Sequence, residues 1–491
     1  SAQSNEMPAR RLSLAEAMDL AATANVDVQI ATERIREAGG HVTSERAVLL
    51  PTLKGGVSQN RQDRSTAAFG LPSSGSANVS PVQNTISYPG TPNSVVKQFD
   101  LPTTALVTPV NPVPLDFDFS DTTGPYNYFN AKLYLTVPLI DVQNFRSVDA
   151  ATAEQIAARL DRDAAREEAM SQAASLYQGV NFSQEAVDML TKKVELHEQR
   201  VVLSEDLAKT GVSTELDVRK EKVVLAQVRT ELRHAQNQLA MATRELKRVL
   251  DIDPAEGVEL TDALNFRPMT ALNPGDAFRL ALERRPEYRS QKQKEKAASI
   301  QRKSAIADYY PTLKASGNYG ESGLTPDDTV ETWFIGAAAT IPLFDSFKRR
   351  GTIIQRDSKL KQERSRTRDM EDRMGNEVRQ SADELGYYEA MVLAADENVM
   401  YSDEVLHKTR DGEQAGTTTE LDVVEAEVDL ANAKYNRLEA MYNYDLSVTK
   451  WFKATGNVRE AALERETREL WNPGPDANAE ETQDGAEQGP P

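Results

Sequence analysis

Apolar residues recur along the chain with two different periods, and the periods alternate in blocks. Segments 13–50 and 274–310 have helical spacing, are rich in Ala, Glu, Arg and Leu, and are each stopped by a proline, Pro51 or Pro311. After each stop the period drops to two. Over 128–138, Tyr128, Asn130, Lys132, Tyr134 and Thr136 share one face, and Phe129, Ala131, Leu133, Leu135 and Val137 share the other. Such alternation predicts a half-buried strand. Trp333, Ile335, Ala337, Ala339 and Ile341 form the apolar face of a second such segment. Strands are therefore predicted over about 52–61, 126–138, 312–320 and 331–341.

No proline occurs between Pro138 and Pro254, or between Pro342 and Pro473. These spans predict long helices over 144–251 and 347–456, each interrupted once, at Gly211 or Gly416 with its Ser/Thr cluster. The unbroken pieces 147–209 and 348–410 correspond to roughly 95 Å of helix at a 1.5 Å rise. That length belongs to a coiled coil or a helical tube. Leu421, Val424, Val428, Ala431, Tyr435, Leu438 and Tyr442 alternate three and four apart, the spacing of a heptad seam, and Leu225, Leu232, Leu239 and Leu246 recur at sevens.

The blocks repeat. Leu12–Ala17 returns as Leu272–Ala277, and Pro51-Thr52-Leu53-Lys54 returns identically as Pro311-Thr312-Leu313-Lys314, 260 positions later. Val137-Pro138-Leu139-Ile140-Asp141 returns as Ile341-Pro342-Leu343-Phe344-Asp345, offset by 204. Gly211–Val218 returns as Gly416–Val423, offset by 205. Four motifs in order indicate a duplication, with one insertion of roughly 56 residues in the first half. The expected organisation is a first repeat over 1–253 with an insertion at 63–125, a linker over 254–271, a second repeat over 272–456, and a tail over 457–491.

Composition narrows the function. The net charge of −19 argues against nucleic acid as a partner, because phosphate binding needs a basic surface. No stretch approaches the ~20 apolar residues of a membrane-spanning helix, so any contact with a bilayer is through a β-barrel or along a surface. The absence of cysteine excludes disulfides, thiolate metal sites and a lipidated N-terminal Cys. A start at Ser1 suits a processed, exported protein. After Arg468 acids stand among Asn, Gln, Gly and Pro without a single Lys or Arg, a composition that predicts disorder. The insertion holds nine of the 23 prolines and is expected to be a surface loop or a lid on the exterior side.

Four strands per chain cannot close a barrel, and open edges cannot stand in hydrocarbon. If the strands lie in a membrane, three chains supplying twelve strands fall within the known range of barrels. A soluble periplasmic coiled-coil scaffold or adaptor is the alternative, but it does not need the aromatic, alternating strands. Enzyme chemistry finds no support. His41, His197, His234 and His407 lie in helical stretches without ligand spacing and are expected to be solvated or satisfied, and Asp251 and Asp253 flank Pro254 as at a helix end. Nucleotide-binding and nucleophile-elbow motifs are missing. No catalytic residue, metal site or cofactor is expected.

Taken together, the L-x-x-A-x-x-x-A openings, Leu50-Pro51-Thr52-Leu53, the Val/Ile-Pro-Leu-x-Asp motif and the Gly-x-x-Thr-x-Leu-Asp-Val motif resemble the TolC-like outer-membrane efflux and secretion duct family over almost the whole chain. The resemblance implies an α+β membrane protein. Its trimeric twelve-stranded β-barrel would be continued by a periplasmic α-helical barrel, with an equatorial belt near 254–275 and after Trp451. It implies a homotrimer in outer-membrane lipid, opened at its hairpin tips by a periplasmic adaptor (membrane fusion) protein and an inner-membrane RND or ABC transporter. Asp217 and Asp422 match the family's tip aspartates, and Glu425 falls where a second acid often lines the constriction. Asp422, Glu425 and Asp217 are thus the expected gate and selectivity residues. Gly211, Thr214, Leu216, Gly416, Thr419 and Leu421 are the expected contacts for adaptor or pump. The bland reading of the same carboxylates is a helix start near a favourable dipole. Thr418 stands where some members carry an Arg that bridges to the tip aspartate, so that lock is absent here.

Overall fold

A computed structural model describes residues 10–63, 74–77, 115–118, 125–211, 214–269, 272–461 and 463. They divide into a helical unit and a sheet unit. The helical unit holds β1 (Arg10–Leu12), α1 (Leu14–Ala24), α2 (Val26–Ala47), α3 (Val142–Lys209), α4 (Glu215–Val249) and β6 (Val258–Leu260). It continues with α5 (Pro274–Arg284), α6 (Pro286–Ala307), α7 (Lys348–Gln414) and α8 (Glu420–Thr455). The sheet unit holds β2 (Thr52–Asp63), β3 (Ser74–Ala77), β4 (Leu115–Asp118), β5 (Pro125–Ile140), β7 (Thr312–Thr325) and β8 (Asp328–Thr340).

The expected single helices at 13–50 and 274–310 are each two helices. Pro286 disfavours helical backbone at Arg285, which sits at φ −60° and ψ 117°. Asn25 makes the same break without a proline. Its side-chain Oδ1 accepts from the Asp27 N–H at 2.8 Å, and its Nδ2 donates to the Val249 carbonyl at 3.3 Å. An asparagine that caps one helix and ties down the end of another holds a bend that periodicity does not reveal.

The long helices pair as hairpins, α3 with α4 and α7 with α8. Their 68 and 67 residues in α3 and α7 amount to about 100 Å each. One core gathers α1, α3 and the end of α4 around Met18, Tyr177 and Leu246, with Val458 from beyond α8. A second gathers α5, α7 and α8 around Met374, Val378, Tyr444 and Trp451. Smaller clusters close each hairpin nearer its tip, Val194, Val201, Leu225 and Val228 in one, Leu406, Val423, Ala426 and Leu430 in the other. The seam expected on α8 is only part of what it buries, because α8 is wedged between α7 and α3. Tyr442 stacks on Phe182 of α3 at 4.7 Å between ring centroids.

The 254–271 linker contributes β6, which pairs in parallel with β1. Within the expected tail, Val458 is buried and its N–H donates to Glu167 at 3.0 Å. Burial pushes the Glu167 carboxyl up, partly opposed by that N–H. The acidic residues beyond Leu463 lie outside the described residues, as does most of the 63–125 insertion; its surface-loop or lid reading falls there.

In the sheet unit the order is β2-β5-β7-β8, antiparallel throughout. β7 and β8 run further than expected and meet across a two-residue turn, Pro326-Asp327. Register aligns Leu53, Leu135, Gly317 and Ile335 in one row and Gly55, Leu133, Tyr319 and Trp333 in the next. On the other face the rows are mainly polar: Thr52, Thr136, Ser316 and Gly336, then Lys54, Tyr134, Asn318 and Phe334. The apolar face is uncovered, with Trp333 70% and Ile335 80% exposed in the single chain. Within this sheet β2 and β8 each have one unpaired edge.

Candidate functional site

Each long hairpin reverses through a glycine in the left-handed region of the backbone. Gly211 sits at φ 77° and Gly416 at φ 74°, a region that costs any residue with a Cβ. Gly211 N–H donates to the Ala208 carbonyl, ending α3, and Gly416 N–H donates to the Glu413 carbonyl, ending α7. At the second tip the Thr418 hydroxyl donates to the Thr409 carbonyl at 2.7 Å. Thr418 thus fastens the turn to α7. Residues 212 and 213 of the first tip lie outside the described set.

The helices leaving the tips begin with matching capping boxes. Thr214 Oγ1 accepts from the Asp217 N–H at 3.2 Å, while Asp217 Oδ2 accepts from the Thr214 N–H at 3.2 Å and from its hydroxyl at 2.6 Å. Thr419 and Asp422 repeat the arrangement at 3.3, 2.8 and 2.7 Å. Both carboxylates lie in a first turn, where free N–H groups and the helix dipole favour negative charge. The Thr214 hydroxyl and N–H, with help from Lys220, pull the Asp217 carboxyl down to about 2. The Thr419 hydroxyl and N–H lower Asp422 likewise.

The tips then diverge. Lys220 donates to Asp217 at 3.2 Å, and Lys222 reaches back to Glu205 at 2.6 Å. The corresponding residues of the second tip are Glu425 and Glu427. Glu427 pairs with Arg410 at 2.5 Å. Glu425 is exposed and makes no ion pair among the described residues. Leu216 is 63% exposed at the first tip, and Leu421 is half-buried at the second. The structure therefore joins Thr214 with Asp217 and Thr419 with Asp422. Glu425 stands one turn along from Asp422, and among the described residues no hydrogen bond or ion pair links the two tips.

His197, read from sequence as a solvated or satisfied helix histidine, is neither. It is 4% exposed, and neither ring nitrogen has a hydrogen-bond partner. Burial lowers its pKa from 6.5, reinforced by Lys193 and Arg200 and opposed by Glu221 and Glu231. The other three histidines face polar neighbours: Glu45 for His41, Gln238 for His234 and Asp403 for His407. No group of acids and histidines among the described residues could hold a metal ion, and no described helix is long and apolar enough to cross a membrane.

Two long capped hairpins and, in a separate unit, a short sheet with one apolar face invite comparison with known channels. The outer membrane efflux protein family matches this chain over residues 114–250 and 277–457. The chain belongs to that family. Membership makes it a transport channel of the outer membrane of Gram-negative bacteria, a class of ducts without enzymatic activity. Among curated proteins, this outer membrane efflux protein is 21% identical over 351 residues to the alkaline protease secretion protein AprF of Pseudomonas aeruginosa. That alignment covers 69% of the present chain and 72% of AprF. Its fold is that of the CmeC outer membrane channel of Campylobacter jejuni, at TM-score 0.70 and 16% identity, covering 93% and 89% of the two chains. VceC of Vibrio cholerae gives TM-score 0.68 and 19% identity, covering 90% and 96%.

Proposed function

We propose that three copies of this chain form an exit duct of a tripartite efflux pump or of a type I secretion system. The carrying observation is the β2-β5-β7-β8 sheet. One face is apolar and uncovered, the other is mainly polar, and an edge stands open on each side. An exposed apolar face of this breadth needs a partner, and open edges in hydrocarbon leave backbone groups unpaired. Joining three sheets edge to edge closes twelve strands, with the apolar rows toward outer-membrane lipid and the polar rows toward a lumen.

The long hairpins supply a periplasmic helical tube ending at the tips. In the trimer Asp422 and Glu425 make two adjacent rings of three carboxylates, which favour cations and repel anions in a narrow passage. Asp217, already paired with Lys220, contributes less to that field. A periplasmic adaptor and an inner-membrane RND or ABC transporter engage the tips around Gly211, Thr214, Leu216, Gly416, Thr419 and Leu421 and draw them apart. The duct itself carries no energy source, consistent with the absence of a nucleotide-binding motif.

The test is native mass spectrometry of detergent-extracted protein beside its conductance in a planar bilayer. A trimer that forms a small, cation-favouring pore is the expected result. A soluble monomer that never inserts would return the chain to the coiled-coil scaffold reading.

A further inference from the structure

We propose that the turn between β8 and α7, residues 341–347, is a phospholipid anchor. It seats Leu343, Phe344 and Phe347 at the boundary between acyl chains and headgroups, and Lys348 and Arg350 just beyond it meet anionic headgroups. The proposal rests on the reading that the sheet lies in the outer membrane. Leu343 is 93% exposed, Phe344 78% and Phe347 68%. Single exposed apolar residues are ordinary on a protein surface. Here three fall within five positions, and the two rings meet edge to face at 6.0 Å between centroids. Such a contiguous patch marks an interaction site.

The backbone holds the patch outward at a cost. Ser346 sits at φ 54° and Phe347 at φ 69°, the left-handed region that crowds a Cβ and that a water-facing turn ordinarily fills with Gly or Asn. Arg349 fixes this conformation. It is buried, with Nε 3.0 Å from Asp345 Oδ2 and 3.7 Å from Asp308 Oδ2. Its Nη1 donates to the Pro342 carbonyl at 3.1 Å, and its guanidinium lies over the Tyr309 ring at 5.0 Å. The Arg349 N–H also donates to Asp345 Oδ2 at 2.8 Å. A buried charge is tolerated only when it is paired in this way. The pairing ties Pro342 and Asp345 to the end of α6 and leaves the apolar side chains outside.

The first half serves as an internal control. There β5 runs to Ile140 and α3 begins at Val142, with no residue at positive φ between them. A helix can therefore follow this strand motif without the strained turn. At the shared offset of 204, Gln143 and Asn144 stand where the second half has Phe347 and Lys348. Leu139 and Ile140, the counterparts of Leu343 and Phe344, are themselves exposed. Both halves are thus apolar at this point of the repeat, and the second adds a ring and a base. Lys348 and Arg350 are exposed and make no ion pair among the described residues. Apolar side chains beside free cations are the composition of a membrane-surface element, and this favours lipid over a second copy of the chain. Leu343 is three residues beyond Thr340, the end of β8, so at most ~11 Å of chain separates it from a membrane strand.

Because the chain has no cysteine, single thiols can report on the anchor in the full-length protein. Leu343→Cys, Phe347→Cys, Ile335→Cys in the sheet and Ser365→Cys on α7 would each carry an environment-sensitive fluorophore. The vesicles are phosphatidylethanolamine and phosphatidylglycerol, with a nitroxide near the top of the acyl chain of a minor lipid. Ser365, about 27 Å along α7 from Phe347, is the aqueous control. Labels at 343, 347 and 335 should be quenched severalfold more than the label at 365. At 347, nitroxide carried on phosphatidylglycerol should quench severalfold more than nitroxide on phosphatidylcholine, and Lys348→Gln/Arg350→Gln should abolish that preference. Quenching at 335 without quenching at 343 and 347 overturns the anchor and leaves the membrane sheet standing. Labels at 343 and 347 shielded from water and nitroxide alike would put a second copy on the turn, and that also overturns it. No quenching at 335 removes the reading beneath the proposal, and the proposal with it. Equal quenching at 347 from both nitroxide carriers would refute the contact with anionic headgroups.

Discussion

At the first hairpin tip Lys220 lies 3.2 Å from the capping aspartate, Asp217, and at the second tip Glu425 stands in its place beside Asp422. The caps are otherwise the same: a threonine, an aspartate three residues on, and a left-handed glycine before them. What folding demands of a tip is thus met in both halves by Gly, Thr and Asp. The residue one turn further is free of that demand, and there the halves separate, one neutralising its carboxylate and the other adding a second. A feature retained in both halves reports on helix starts; a feature present in one reports on what that tip faces in the assembly.

The largest effect is expected from exchanging the two charges. Glu425→Lys gives Asp422 the partner that Asp217 already has and takes the paired rings of the proposed trimer from strongly negative to neutral. The reversal potential of the channel should move severalfold toward non-selectivity, while Lys220→Glu at the first tip should move it little. Equal shifts from the two substitutions would erase the distinction between the tips.

Smaller, and equal at both tips, is the loss of a cap. Thr214→Ala and Thr419→Ala should each destabilise the helix start by about 1 kcal/mol, read as roughly fivefold faster amide exchange in the first turn of α4 or α8. A tip indifferent to its threonine would show that partner contacts, not the cap, hold the turn.

The smallest effect separates the hairpins by pH. A histidine whose folded pKa lies below 6.5 disfavours protonation in the folded state. Its contribution is fully present above pH 6.5 and is lost as pH falls through the depressed value. Protonation would bring charge in among Val194, Val201, Leu225 and Val228, with Lys193 and Arg200 against it and Glu221 and Glu231 in partial compensation. Amide protection in 190–230, taken relative to the intrinsic exchange rate at each pH, should therefore fall between pH 7 and 5. The second hairpin, with Ser402 at the corresponding position, should not follow. His197→Asn should remove the difference; if it persists, the carboxylates of α4 are responsible instead.

Much of this architecture was legible in residue order. Pro51, Pro311, Gly211 and Gly416 punctuate the chain by mechanisms that act locally, and strand alternation at 128–138 fixes which face is apolar before any partner strand is known. Asp217 and Asp422 were legible as helix-start carboxylates for the same reason, although the threonine caps that hold them were not read. His197 was not legible, because its burial comes from α4, which packs on it from across the hairpin. The bend at Asn25 was hidden likewise, since Asn25 is held by Val249, 224 positions away. The width of the buried surface on α8 depends on α3 and could not be read from its own heptads.

The central claim, that the acidic second tip and not the first sets the passage, is tested most directly by single-channel recording of Asp422→Asn/Glu425→Gln beside Asp217→Asn. The account predicts that the double substitution raises conductance and weakens cation selectivity, while Asp217→Asn leaves both near the wild-type level. A pore altered equally by Asp217→Asn, or unaltered by the double substitution, would contradict it.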